Sequence, residues 1–269
     1  MAAAYGGPLG LARATVVANF VSSLDGIVAL GDRGESGHLI SADSEADRFV
    51  MGLLRSCVDA ILIGAGTFRN DPGHLWTPGS IYPKGAALFD DNRHRLGLAA
   101  QPTLVVVTAS GAIDPNHPAL RDAIVATTSA GVSRLRGRVP ATTRIVTFDP
   151  TAAPTASRER SPGAVAGETP SVTSDPMPVA NVVAWLRAHG LSTLLTEGGP
   201  RLFASLLADK LVDQLFLTVS PVLFGRQGND DRRSLVDGCD LAGSRLELLG
   251  ARRHGSHLFL RYSLSPAPE

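Results

Sequence analysis

Cysteine is scarce in this 269-residue chain, with only Cys57 and Cys239 present. Two cysteines supply neither a disulfide framework nor a cysteine-based zinc site. The H-x-E…P-C-x-x-C signature of zinc-dependent base deaminases is missing as well. Charge of either sign is not in excess: 25 Lys and Arg balance 25 Asp and Glu. With no dense basic cluster, nothing points to a nucleic-acid partner. No apolar run reaches the ~20 residues that a membrane span needs. The opening MAAAYGGPLGLAR lacks a basic segment followed by a long apolar core, so no signal peptide is read and a cytoplasmic protein is expected. Internal repeats are absent. What remains is 44% hydrophobic content, enough to bury a core in one large domain or two small ones.

The most informative stretch is TLLTEGGPRLFASLL, Thr193 to Leu207. Its apolar and β-branched start suits a short buried strand. Gly198-Gly199 break the run, and Pro200 suits the first turn of a helix, where its missing N–H has no intrahelical partner. Leu202, Phe203, Leu206 and Leu207 then fall on one helix face. A strand–Gly-Gly–helix turn lets an anion approach backbone N–H groups at the positive end of a helix. Glu197 stands at the strand's carboxyl end, where open α/β sheets bind ligands. A plain βα turn with a solvated glutamate fits these residues equally well. Under the ligand reading, a Cβ at Gly199 harms binding more than folding.

VDAILIGAGTFRNDP, Val58 to Pro72, decides between these readings. It holds a nearly continuous apolar run, as in a strand covered on both faces, and then Gly64-Ala65-Gly66-Thr67. The full G-x-G-x-x-G fingerprint fails at Arg69, so a classical dinucleotide fold is not supported. Together with NFVSSLDG (Asn19 to Gly26), LVVVTASG (Leu104 to Gly111), LLTEGGPRL and VDQLFLTVSPVLFG (Val212 to Gly225), this segment resembles the riboflavin-biosynthesis pyrimidine reductase family, the C-terminal reductase domain of RibD. The resemblance runs from about Thr15 to the end.

The resemblance implies a dihydrofolate-reductase-like α/β fold: three layers, a mostly parallel central sheet with helices on both faces, and antiparallel strands at the C-terminal edge. It implies a single reductase domain over 1–269, NADPH as cofactor, a small-molecule substrate and a homodimer. Cofactor contacts carry over to Val21, Gly64, Gly66, Thr67, Ser110, Gly198, Gly199, Pro200, Arg201 and Leu202. Substrate contacts carry over to Ser36, Arg55, Asp71 and Glu197, and Asp71 and Glu197 are the catalytic carboxylates. No metal is expected. With the deaminase signature absent, a stand-alone reductase is expected. The family's D-P-x-L-x-x-R arginine has no counterpart in Pro72-Gly73-His74-Leu75-Trp76-Thr77; Lys84, Arg93 and Arg95 are the candidates to replace it. Alternatives are a same-fold reductase of another small heterocycle, such as dihydrofolate, and a non-catalytic nucleotide-binding module.

Several readings rest on the residues alone. Strands are expected at 15–21, 104–108, 124–128, 144–148, 212–220 and 258–264, and a helix at 179–189. Residues 31–40 read as a mobile polar loop, and His38 as a solvent-exposed histidine. Ser41 or Asp43 is expected to cap a helix whose buried face is Phe49, Val50, Leu53, Leu54 and Cys57. Arg55 lies off that face, at the carboxyl end, where a cation complements the helix dipole. Residues 149–178, rich in Pro, Ala, Ser, Thr and Gly, read as a flexible insertion.

Overall fold

The structure, a computed structural model, describes residue 7 and residues 9–31, 36–150, 177–226, 228 and 230–264. Nearly all of the expected insertion lies outside these residues. The strands are β1 (Val16–Ser22), β2 (Ile27–Leu30), β3 (Ala60–Gly64), β4 (Thr103–Thr108), β5 (Ile124–Thr127), β6 (Arg144–Thr147), β7 (Leu194–Thr196), β8 (Gln214–Val219), β9 (Arg232–Ser234), β10 (Glu247–His254) and β11 (His257–Ser263). The helices are α1 (Ser36–Ser41), α2 (Glu45–Arg55), α3 (Ala65–Asn70), α4 (Pro78–Ile81), α5 (Ala86–Arg95), α6 (Ser129–Leu135), α7 (Val179–Ala188) and α8 (Pro200–Ala208).

Nine strands form one sheet in the order β10-β11-β8-β1-β7-β3-β4-β5-β6. From β8 to β6 every pairing is parallel, and β11 and β10 add antiparallel at the edge. The expected α/β class and its C-terminal edge are therefore found. Parallel strands are covered on both faces, which is why β3, β4 and β5 read as near-continuous apolar runs. On one face Ala18, Leu62 and Val105 meet Val182, Val183 and Leu186 of α7 and Leu202, Phe203 and Leu206 of α8. On the other, Val17, Ile61, Ile63 and Val106 meet Val50 and Leu54 of α2 and Phe68 of α3.

Two local expectations are corrected. Residues 36–41 form α1 within the expected loop, with Ile40 buried against Ile27 and Leu30. The cap of α2 is Ser44, whose Oγ accepts the Asp47 N–H at 3.3 Å, in place of Ser41 or Asp43. The reason is the tight joint between the helices: Ala42 and Asp43 both hold positive φ, 50° and 53°, so the chain enters helical geometry only after them. Asp43 instead accepts from exposed His38 at 3.0 Å.

The E-G-G turn locks β7 to β3. A Cβ on Gly198 would lie 2.3 Å from Ile63 Cα and 2.5 Å from the Gly64 nitrogen. That neighbour is backbone and cannot swing aside, so Gly198→Ala should destabilise the protein by about 3 kcal/mol in urea unfolding. A Cβ on Gly66 would meet nothing within 4 Å. Gly66→Ala, inside α3, should be neutral or gain up to about 1 kcal/mol in the same measurement.

Candidate active site

Glu197 leaves the carboxyl end of β7, and its N–H donates to Leu62 O at 3.2 Å. The Arg55 side chain, on the last turn of α2, meets it through a two-point ion pair. Arg55 Nε donates to Oε1 at 2.9 Å and Nη2 to Oε2 at 2.7 Å. The side chains are 1% and 6% exposed, so this pair is desolvated. Arg55 Nη1 also donates to Thr77 O at 3.1 Å. Helix-dipole complementation is thus a minor part of what Arg55 does. Its guanidinium is occupied by protein acceptors, and the structure places it behind Glu197.

His74 completes the cluster, with its Nε2 3.1 Å from Arg55 Nη2. Burial, and then the Arg55 charge, push the His74 pKa down to about 3. The ring is therefore neutral near pH 7, with Nε2 accepting from Arg55 and the proton on Nδ1. Its backbone N–H donates to Asp71 O at 3.1 Å. His117 Nε2 lies 3.1 Å from Asp71 O and 3.1 Å from the Gly73 nitrogen, and its Nδ1 accepts the Ala119 N–H at 3.2 Å. Phe68, Trp76 and buried His117 stack together, with Phe68 and His117 ring centroids 4.2 Å apart. This aromatic wedge holds the Asp71–Thr77 loop against α3. Asp71 itself is half-buried at the carboxyl end of α3.

The candidates for the missing arginine are placed elsewhere. Lys84 pairs with Glu45 at 2.5 Å on the exposed side of α2. Arg93 is fully buried and holds the carbonyls of Arg55, Val58 and Ala99. Arg95 pairs with Asp91 at 2.9 Å on exposed α5. From this loop, the side chain that meets the Arg55–Glu197 ion pair is that of His74, at the Arg55 end. Nothing in the local pattern of Pro72 to Thr77 marks it; its partners come from α2 and β7.

A cleft of about 520 Å³ opens at the carboxyl ends of β3 and β4, reaching the start of α8 at Gly199 and Pro200. Gly64, Gly66, Thr67, Ser110, Gly199, Pro200, Arg201 and Leu202 all line it. Val21 and Gly198 do not: Val21 packs toward Ile27, Leu30 and Ile40, and Gly198 sits behind the turn against β3. Ser36 opens α1, and its side chain lies outside the described residues. Two features suit a phosphate: the first turn of α8 has no side-chain cap, and the Cβ-free Gly66 faces open space. Gly199 adopts φ 48° and ψ 142°, a conformation that L residues rarely adopt. A Cβ at Gly199 therefore also carries a stability cost, since alanine there strains the backbone whatever it does to a ligand.

Met51 and Asp47 lie one and two turns before Arg55 on the same face of α2. Burial raises the Asp47 pKa, with the Thr218 hydrogen bond opposing it.

An α/β sheet with a glycine-lined cleft at its strand carboxyl ends, and a buried carboxylate on the adjoining turn, defines the class of protein. The chain belongs to the RibD C-terminal domain family, which matches residues 14–260. It is 27% identical over 256 residues to the 2,5-diamino-6-ribosylamino-4(3H)-pyrimidinone 5′-phosphate reductase of Methanothermobacter thermautotrophicus, covering 94% of this chain and 99% of that protein. It is 26% identical over 231 residues to the Archaeoglobus fulgidus reductase of the same name, covering 84% and 87%. Among solved structures, a pyrimidine reductase-like protein from Corynebacterium diphtheriae shares the fold with a TM-score of 0.65 at 22% identity, over 93% of this chain and 91% of that one. Among the described residues no helix is long and apolar enough to cross a membrane, and no group of metal-binding side chains is found.

Two outcomes follow from this cluster. Arg55→Leu leaves Glu197 buried without its cation and should cost about 3–5 kcal/mol in urea unfolding. The His74 pKa is depressed in the folded state, so the unfolded chain binds the proton first as pH falls. Its contribution is present above pH ~6.5 and is lost below that, at up to about 1.4 kcal/mol per pH unit. His74→Gln should flatten the fall in stability between pH ~6 and ~4 by that slope relative to wild type.

Proposed function

We propose that this chain is an NADPH-dependent reductase of a ribosylaminopyrimidine 5′-phosphate. Hydride transfer to the ribose C1′, with a proton taken up, opens the sugar to the ribitylamino product. The observation that carries the reading is one turn, Glu197-Gly198-Gly199-Pro200. It presents a buried, arginine-held carboxylate on one side and the floor of a nucleotide-sized cleft on the other. Relatives spanning almost the whole chain are named for this reaction on the 2-amino pyrimidinone. The substrate that the family resemblance implies, 5-amino-6-(5-phosphoribosylamino)uracil, carries a carbonyl in place of that amino group.

The cofactor supplies the hydride. The chain's own residues hold and orient. Arg55 fixes both Glu197 oxygens, and each retains a lone pair for an N–H donor of the pyrimidine. Neutral His74 offers its Nδ1–H to a substrate oxygen. Asp71, held through its carbonyl by His74 and His117, orients the substrate and relays the proton. The residues lining the cleft place the reacting carbon of the cofactor, and orientation of this kind is worth several kcal/mol of barrier. By the same resemblance the enzyme works in the cytoplasm as a homodimer.

The test is NADPH oxidation with each of the two pyrimidine substrates. We expect substrate-dependent turnover, lowered about a hundredfold in kcat by Asp71→Asn. Oxidation with dihydrofolate in place of both pyrimidines would redirect the reading to another heterocycle. Cofactor binding without turnover on any of them would favour a non-catalytic module.

A further inference from the structure

Three arginines line the cleft among the described residues: Arg69, Arg201 and Arg233. Their electrostatic surroundings differ. Arg201 donates to Asp237 at 3.3 Å, and Arg233 pairs with the same carboxylate. One aspartate thus serves both cations, and the Asp237 pKa is lowered by them, against the opposing effect of burial. Arg69 has no carboxylate among its described contacts. Its Nη1 donates to a neutral carbonyl, Ala112 O, at 2.9 Å. That bond draws the guanidinium to the loop following β4, where the Ala112 N–H donates to Ser110 Oγ at 3.4 Å. An uncompensated cation and a serine hydroxyl therefore stand together at the β4 end of the cleft. The other wall differs in sign: Asp231 lines it beside Gly31, whose carbonyl accepts from Asn70 Nδ2 at 3.2 Å. A dianion is favoured at the β4 end and opposed at the Asp231 end.

Resting on the reading of the cleft as a dinucleotide site, we infer that Arg69 is the specificity-determining residue that reads a 2′-phosphate on the cofactor's adenosine ribose, with Ser110 beside it. The pyrophosphate then falls between this end and the Gly199-Pro200 turn, and the reacting end points toward Glu197. Arg69 sits at the fourth residue after Ala65 opens α3, and its free N–H groups suit the two-point grip that phosphate oxygens accept. Arg201 and Arg233 hold the β9 side of the cleft through Asp237 and take no part in reading the 2′ position.

The test compares binding of adenosine 2′,5′-bisphosphate and adenosine 5′-monophosphate by calorimetry, with no turnover needed. Wild type should prefer the bisphosphate by about tenfold or more. Arg69→Gln should abolish that preference while leaving monophosphate affinity and melting temperature unchanged, because Arg69 is exposed and supports no core contact. Arg201→Gln should keep the preference. A preference retained in Arg69→Gln, or lost in Arg201→Gln alone, would overturn the assignment. So would a wild type that binds the two ligands equally, although hydride transfer from NADH would still be measurable in the substrate assay. Failure of that assay with either cofactor would count against the reductase reading and leave the nucleotide comparison standing.

Discussion

The Arg55–Glu197 ion pair is the contact on which the site depends. It joins residues 142 positions apart and ties three separate pieces of chain: the end of α2, the end of β7 and the Asp71–Thr77 loop. A charge pair this dry contributes little net stability, since desolvation offsets much of the attraction, but its geometry is strongly enforced once both partners are present. Moving either end strands a charge in the core. The pair therefore holds a carboxylate in one orientation at the point where the sheet meets the cleft. Neutral His74 fits the same logic: beside a buried guanidinium, an imidazole serves as an acceptor and a second positive charge would be expelled.

The glycine turns do the complementary task. Gly198 is required by the close approach of β7 to the β3 backbone, and Gly199 by a positive φ. Gly66 is required by neither and leaves backbone open to the cleft. Packing constraint and ligand access thus separate residue by residue within two short motifs. Around them the charges are distributed unevenly. Asp237 absorbs two of the cleft arginines, and the wall near β4 keeps its positive charge.

Much of this was legible in the sequence because parallel strands buried on both faces leave continuous apolar runs. Ala60–Gly64, Thr103–Thr108 and Ile124–Thr127 were all within two residues of expectation for that reason, and the two glycine turns followed directly from them. Elements that bury little left no such mark. Strand β10 is exposed along nearly its whole length, with a bulge between Leu248 and Gly250, and its charged residues break any alternation. The three-residue β9 and the six-residue α1 are too short for a period to register. The site divided in the same way. Glu197 and the cleft glycines announced themselves through local motif chemistry. The role of Arg55 as the partner of Glu197, and the place of His74 beside it, depend on contacts across the sheet that no local spacing encodes. Val21 was carried over by resemblance as a backbone contact, and its side chain packs toward Ile27, Leu30 and Ile40.

The central claim is that this cleft and the Glu197 cluster together deliver a hydride to the ribose carbon of a pyrimidine ribosylamine. Its most direct test is mass spectrometry of the product formed with NADPH carrying deuterium at both C4 positions. The account predicts a ribitylamino product one mass unit heavier, with the label at C1′. A product without label, or label retained wholly in the cofactor while substrate is consumed, would contradict it.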